Sequence, residues 1–281
     1  ILDKIYPRKE CNHKFPYCLF TYYFSNVYFG LAQCIQLDSI RYAIEHIEDP
    51  DEKQWALGTL VVVTSAIGTL HAGHFAQPKR LDLNSLEKII QQREKSAWLE
   101  FSKRLISLAE ESARYPYSVN LIDGPWKKAL NSARERTEKK LVVYLDAPYK
   151  REEYSRYYHV LETIVKYDYP SSVLKGRIRS KSNGERFRTE FSTKTVWKVE
   201  KSFVEAITEI LNKDAICAWS YSDNGEASLV KVIDQIREQI KCEVYIYGMP
   251  YEHQSQRKKQ SNSRTRLKVV EYCILFIKKA V

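Results

Sequence analysis

None of the six cysteines in this chain forms a C-x-x-C pair, and they are scattered from Cys11 to Cys273. Neither a zinc ribbon nor a dense disulfide framework is expected, and reduced thiols in a cytoplasmic compartment fit best. Cys11, His13 and Cys18 lie close together but not at a standard zinc spacing. His71-Ala72-Gly73-His74 lacks the glutamate of an H-E-x-x-H helix, so it reads as a local histidine pair, and no metal is expected. The longest apolar stretch, Leu57 to Leu70, is too short to span a bilayer and carries Thr64, Ser65 and two glycines. It reads as a buried helix, so no membrane is expected. No signal-peptide pattern opens the chain; it begins on Ile1, which need not be the translated start. There is no internal repeat and no long low-complexity tract. Glycine is scarce, nine in 281 residues, and the first is Gly30.

What remains is an ordinary folding composition with a charge bias. Hydrophobic residues make up 44% and charged residues 28%, enough for a full core. Forty-five Lys and Arg against thirty-five Asp and Glu leave a net charge of +10. That balance favours an acidic partner, of which nucleic acid is the commonest.

The first part is helical. Leu37, Ile40, Ile44 and Ile47 fall at helical spacing within 33–47, with Gln36 and Arg41 off the stripe and free to face water. Asp49-Pro50-Asp51 breaks that helix and starts another over 52–71. Asn84 is read as the cap of a third, with Leu86, Ile89, Ile90, Trp98, Phe101, Leu105 and Leu108 on one face, ending at Arg114-Tyr115-Pro116. From there the period changes. Strands are expected at 119–123, 140–146, 215–221, 242–247 and 269–277. Helices are expected at 128–139, 154–167, 199–211 and 228–240. Alternating strand and helix predict a parallel sheet covered on both faces, with the last two strands forming an antiparallel hairpin at one edge. The domains are therefore 1–116, helical, and 117–281, α/β.

One motif carries chemistry. The strand Leu141 to Leu145 runs into Asp146-Ala147-Pro148-Tyr149. An aryl amine such as adenine N6 is a poor nucleophile, because its lone pair is delocalised into the ring. Two acceptors set against its N–H bonds draw it toward a tetrahedral shape and bind more strongly as positive charge develops. The Asp146 carboxylate can be one and the Ala147 carbonyl the other. Pro148 fixes the turn, and Tyr149 offers a ring to a base swung out of the duplex. A strand followed by an ordinary Asp-x-Pro turn gives the same string, so the surroundings matter.

Those surroundings carry a resemblance. The run VYLDAPYKREEYSRYYHVLETIVKYDYP is similar to the catalytic motif and following helix of adenine-specific (amino-N6) DNA methyltransferases of the Dam-like class. Upstream, YFSNVYFGLAQCIQLDSIRYAIEHI and 72–77 resemble the helical segment such enzymes insert between cofactor and catalytic motifs. Downstream, Trp219 to Gly225, Tyr251 to Ser255 and Glu271-Tyr272 resemble their later strands. The resemblance implies a partial Rossmann-like methyltransferase sheet with an antiparallel terminal hairpin, plus an N-terminal helical target-recognition region. It implies Asp146, Ala147, Pro148 and Tyr149 as catalytic residues, matching D/N-P-P-Y/F except at Ala147. That change keeps the carbonyl and loosens the turn. It also implies S-adenosylmethionine as cofactor, with Asp123 near the cofactor or target base; a helix-capping role before Gly124-Pro125 fits Asp123 as well. Restriction–modification or phage defence is the usual setting of such proteins.

The family's F-x-G-x-G cofactor turn is missing, since Gly30 falls within the helical insert. Three explanations follow: a second subunit carrying the glycine-rich motif, a fragment, or a non-catalytic DNA-binding subunit with a degenerate methyltransferase fold. The first is preferred, because the later strands would otherwise expose an open sheet edge. RNA or protein methylation would use the same acceptors. Double-stranded DNA is the expected partner, through two basic stretches: Arg177, Arg179, Lys181, Arg186 and Arg188, then Arg257, Lys258, Lys259, Arg264 and Arg266. Solvated loops are the other reading of both.

Overall fold

The computed structural model describes residues 17–71, 73–79, 82–114, 120–122, 124–148, 153–169, 175–179, 189–257 and 266–279. They divide into two compact units, Ile1–Tyr117 with Tyr154–Phe187 and Ser118–Glu153 with Arg188–Val281. The sequence places one boundary near Pro116; packing also returns 154–187 to the first unit.

The first unit is helical: α1 (Leu19–Tyr23), α2 (Leu31–Glu45), α3 (Pro50–Ile67), α4 (Leu83–Glu94), α5 (Ala97–Arg114), and, after the second unit's first segment, α7 (Tyr154–Tyr157) and α8 (His159–Lys166). The expected stripe of α2 is buried, and Asp49 caps α3 by accepting from the Asp51 and Glu52 amides at 2.9 Å. Arg41 is not a water-facing residue. It is 8% exposed, and its guanidinium donates to the Ile164 carbonyl at 3.2 Å and to Glu45 at 2.6 Å. It thus satisfies a carbonyl near the end of α8.

The helix expected across 84–114 is two helices, and its cap is Asp82, which accepts from the Ser85 amide at 2.8 Å. The break at Lys95-Ser96 is held from α2. Gln33 Nε2 donates to the Gln92 and Lys95 carbonyls at 2.9 and 3.0 Å, and Gln36 Oε1 accepts from the Ala97 amide at 2.7 Å. The core of this unit is aromatic, with Phe20, Phe24, Tyr28, Phe29 and Phe75 all within 2% of full burial.

The second unit is a mixed α/β layer: α6 (Trp126–Glu135), β1 (Val142–Leu145), α9 (Val196–Asn212), β2 (Ile216–Ser222), α10 (Leu229–Gln239), β3 (Cys242–Arg257) and β4 (Arg266–Lys278). The strand order is β1-β2-β4-β3. Among the described residues β1 and β2 form the one parallel pair, and β4 is antiparallel to both β2 and β3, so β3 runs in the same direction as β1 and β2. The antiparallel hairpin expected from the last two strands is present at one edge, and β4 rather than β3 is its strand against β2, which makes the sheet mixed. Of the strand expected at 119–123, the described residues 120–122 are not in a strand.

One sheet face packs on α9 and α10. Phe203, Ile207 and Ile210 of α9 and Val232 and Ile236 of α10 meet Cys217, Trp219, Ile274 and Phe276. The opposite face is not covered as expected. Val142 and Tyr144 are 61% and 63% exposed, and Tyr245 and Tyr247 are 45% and 59% exposed. β1 is thus half-buried, with only Val143 and Leu145 against the core.

Candidate functional site

The Asp146 segment leaves β1 at its carboxyl end. β1 pairs in register with β2, its last pair being Leu145 opposite Trp219, and the chain leaves the sheet there while β2 runs on to Ser222. In open α/β sheets this end of adjacent parallel strands is where ligands bind. Asp146 is exposed, and among the described residues its carboxylate has no hydrogen-bond or ion-pair partner. Ala147 is 7% exposed and packs with the core, which fixes the peptide next to the carboxylate. Pro148 is half-buried. Tyr149 and Asp123 lie outside the described residues.

The loop after β2 forms the neighbouring wall, and sequence reading gave none of its residues a role. Tyr221 is buried, its hydroxyl accepts from the Ala227 amide at 2.6 Å, and burial pushes the phenol up to about 12. The chain wraps this ring so closely that a Cβ on Gly225 would lie 2.4 Å from Tyr221 Cζ. The Asp223 amide donates to the Val270 carbonyl at 3.0 Å and the Gly225 amide to the Ser222 carbonyl at 2.9 Å. Among the described residues, Ser222 Oγ, both side-chain amide atoms of Asn224 and the Trp219 indole nitrogen have no hydrogen-bond partner. Groups like these are uncommon in a packed protein. The only sequence signal was the small-polar run Ser220 to Gly225 after an apolar strand.

The hairpin of β3 and β4 extends past this same end. β2 ends at Ser222 opposite Glu271, whereas β4 begins at Arg266 and pairs there with Arg257. Five more residues of β4 at about 3.4 Å each carry the hairpin roughly 17 Å beyond β2. Arg257 and Arg266 therefore belong to paired strands rather than to a loop. Lys258, Lys259 and Arg264 lie outside the described residues.

The first basic stretch is different. Arg179 is 3% exposed and forms a two-pronged pair with Asp168, its Nη1 donating to Oδ2 at 2.9 Å and its Nη2 pairing with Oδ1. Burial opposes ionisation of Asp168, but the Arg179 bonds outweigh it and hold the carboxyl below its usual range. Arg177 Nε donates to the Tyr23 carbonyl at 3.1 Å. Arg179 is thus a structural ion-pair residue within the first unit, not a surface phosphate contact, because its side chain is enclosed. Lys181, Arg186 and Arg188 lie outside the described residues.

No protein family, curated protein or solved structure matches this chain. Functional inference therefore rests on the site itself.

No cofactor cradle is formed by the glycine nearest in kind to the missing turn. Gly30 starts α2 from an extended conformation, with its own amide donating to Gln33 Oε1 at 3.0 Å, and a Cβ there would lie 3.0 Å from the Arg93 carbonyl. It is a packing glycine beneath a helix, not a strand-to-helix turn that could receive a nucleoside. Among the described residues no groups of His, Cys, Asp and Glu are arranged to hold a metal ion. Among the described residues no helix is long and apolar enough to cross a membrane.

Proposed function

We propose that this chain is the catalytic-motif part of an adenine-N6 DNA methyltransferase that uses S-adenosylmethionine and acts on an adenine swung out of duplex DNA. The observation that carries this reading is an unpartnered carboxylate, Asp146, followed by a packed peptide at the carboxyl end of two parallel strands. Three features support it. The sheet order, with β4 antiparallel between β2 and β3, suits the later half of a Rossmann-like methyltransferase sheet. The hairpin overhangs the same end and brings Arg257 and Arg266 to the side from which DNA would approach. Ser222 and Asn224, at and just after the carboxyl end of β2, carry polar atoms with no hydrogen-bond partner among the described residues.

The chain's own residues act on the amine. The Asp146 carboxylate and the Ala147 carbonyl accept the two N6 protons and pull the lone pair out of conjugation. Both bonds strengthen as the nitrogen gains positive charge, and Asp146 is the nearest base for the proton that nitrogen then loses. Because Gly30 does not fit a cofactor cradle, a second subunit with the glycine-rich motif is assigned that role. The free edge of β1 is the natural place for further strands.

Assembled complex with Asp146→Ala should bind DNA as the native complex does and transfer no methyl group to it. Unchanged transfer would defeat the reading. Ala147 in place of the first proline favours the alternative, a DNA-binding subunit with a degenerate fold; a native complex that binds DNA but never methylates it would select that alternative.

A further inference from the structure

Trp197 is the most exposed tryptophan among the described residues, 60% open to solvent, and it sits in the first turn of α9. A large aromatic left in water normally marks a contact surface. Its surroundings are cationic. Lys194, just before the helix, and Lys198 and Lys201 within it are exposed; Lys201 lies one turn from Trp197, and the Lys198 ammonium lies 5.6 Å from the indole centroid. Nearby acids are engaged elsewhere. Glu200 is 6% exposed and accepts from the Ser228 amide at 3.1 Å, Glu205 pairs with Lys127, and Glu190 accepts from the Trp126 indole at 2.8 Å. Thr195 makes no side-chain cap, so the positive end of the α9 dipole also faces this patch.

The fold puts the patch at the Asp146 end of the sheet. α9 reaches β2 through the short turn Lys213–Ala215, and its middle lies on Trp219 and Tyr221, with Phe203 ring centroids at 4.8 and 5.3 Å. It therefore runs back along β2, and its first turn lies where β2 ends. The Glu200–Ser228 bond to the loop after β2 fixes that placement.

We propose that Trp197, with Lys194, Lys198 and Lys201, is a docking surface for a DNA strand carrying an unpaired base, the indole stacking on the base and the lysines contacting phosphates. Charge complementarity selects a polyanion, and an exposed indole selects one that offers a free aromatic face; an intact duplex hides its base faces. The choice of DNA over RNA rests on the function proposed above.

The test is intrinsic fluorescence of the full chain titrated with a short single-stranded DNA over a range of salt concentrations, with circular dichroism to check the fold. Binding should quench emission. Trp197→Ala should abolish most of the quench and weaken binding about ten-fold. Lys198→Gln and Lys201→Gln should each lower the salt slope by about one. Trp126→Phe should leave the quench intact. Equal affinity and quench in Trp197→Ala would overturn the proposal, as would tighter binding of the matching RNA. Absence of any nucleic-acid binding would remove both this surface and the DNA substrate proposed above. Normal behaviour of Trp197 with methylation unchanged in Asp146→Ala would remove only the methyltransferase reading.

Discussion

Gly225 is where the wall beside Asp146 depends on a missing side chain. With Tyr221 Cζ 2.4 Å from where its Cβ would stand, Gly225→Ala must move a buried ring or the loop. A loss of about 2 kcal/mol is expected by urea unfolding. Ser222 is the reverse case. Its buried hydroxyl has no partner, so Ser222→Ala should change stability by less than about 0.5 kcal/mol or raise it. A large loss there would mean the hydroxyl is satisfied in solution. His159 and Asp168 are two of the shifted groups that shape the acid response of the first unit, beside Asp38 and Glu45. Burial lowers His159 below 6.5, and the Arg179 charge adds to this against the Arg156 and Gly176 carbonyls and Glu162, which raise it. Its folded pKa is the lower one, so its contribution is complete above the unfolded value and disappears as pH falls through the folded value. Asp168, also lowered, contributes above the usual carboxylate pKa and is lost further into acid. Unfolding free energy measured against pH should fall in two stages. His159→Gln should remove the first and Asp168→Asn the second.

Among the elements, α2, α9 and β2 were legible because each buries one regular stripe and is bounded by local punctuation. The α4–α5 break was not. It is made by Gln33 and Gln36, some sixty residues away in sequence, which satisfy the carbonyls and amide freed at Lys95 to Ala97. No pattern within 84–114 announces it. Gln36→Ala should therefore destabilise the first unit by about 1 kcal/mol, read by thermal unfolding. β1 was legible as a strand but not as a half-exposed edge, because Val142 and Tyr144 are apolar yet face solvent. Arg41 misled for the opposite reason. A charged residue off the apolar stripe looks solvated, and only the arrival of the Ile164 carbonyl shows why it is buried.

At the scale of the whole molecule, the Asp146-Ala147-Pro148 motif was readable while much of its setting was not. Asp146 to Pro148 could be placed at a strand end from sequence. The adjoining Ser222 and Asn224, the hairpin overhang and the Trp197 patch depend on register and strand length, which composition does not encode. The return of 154–187 to the first unit likewise follows from long-range contacts, of Tyr28 with Gly176 and His159 and of Arg41 with Ile164. If the cofactor cradle lies on a second subunit, calorimetry should detect no tight binding of S-adenosylmethionine to this chain alone, and binding should appear on adding that subunit. Tight binding by the isolated chain would contradict the split arrangement.

The central claim is that Asp146 and the peptide beside it grip an exocyclic amine during alkylation. Mass spectrometry of nucleosides from DNA treated with the assembled complex tests it most directly. N6-methyldeoxyadenosine should accumulate with the native chain and be absent with Asp146→Ala at equal DNA occupancy. The mark persisting in the variant, or never forming with the native complex, would contradict it.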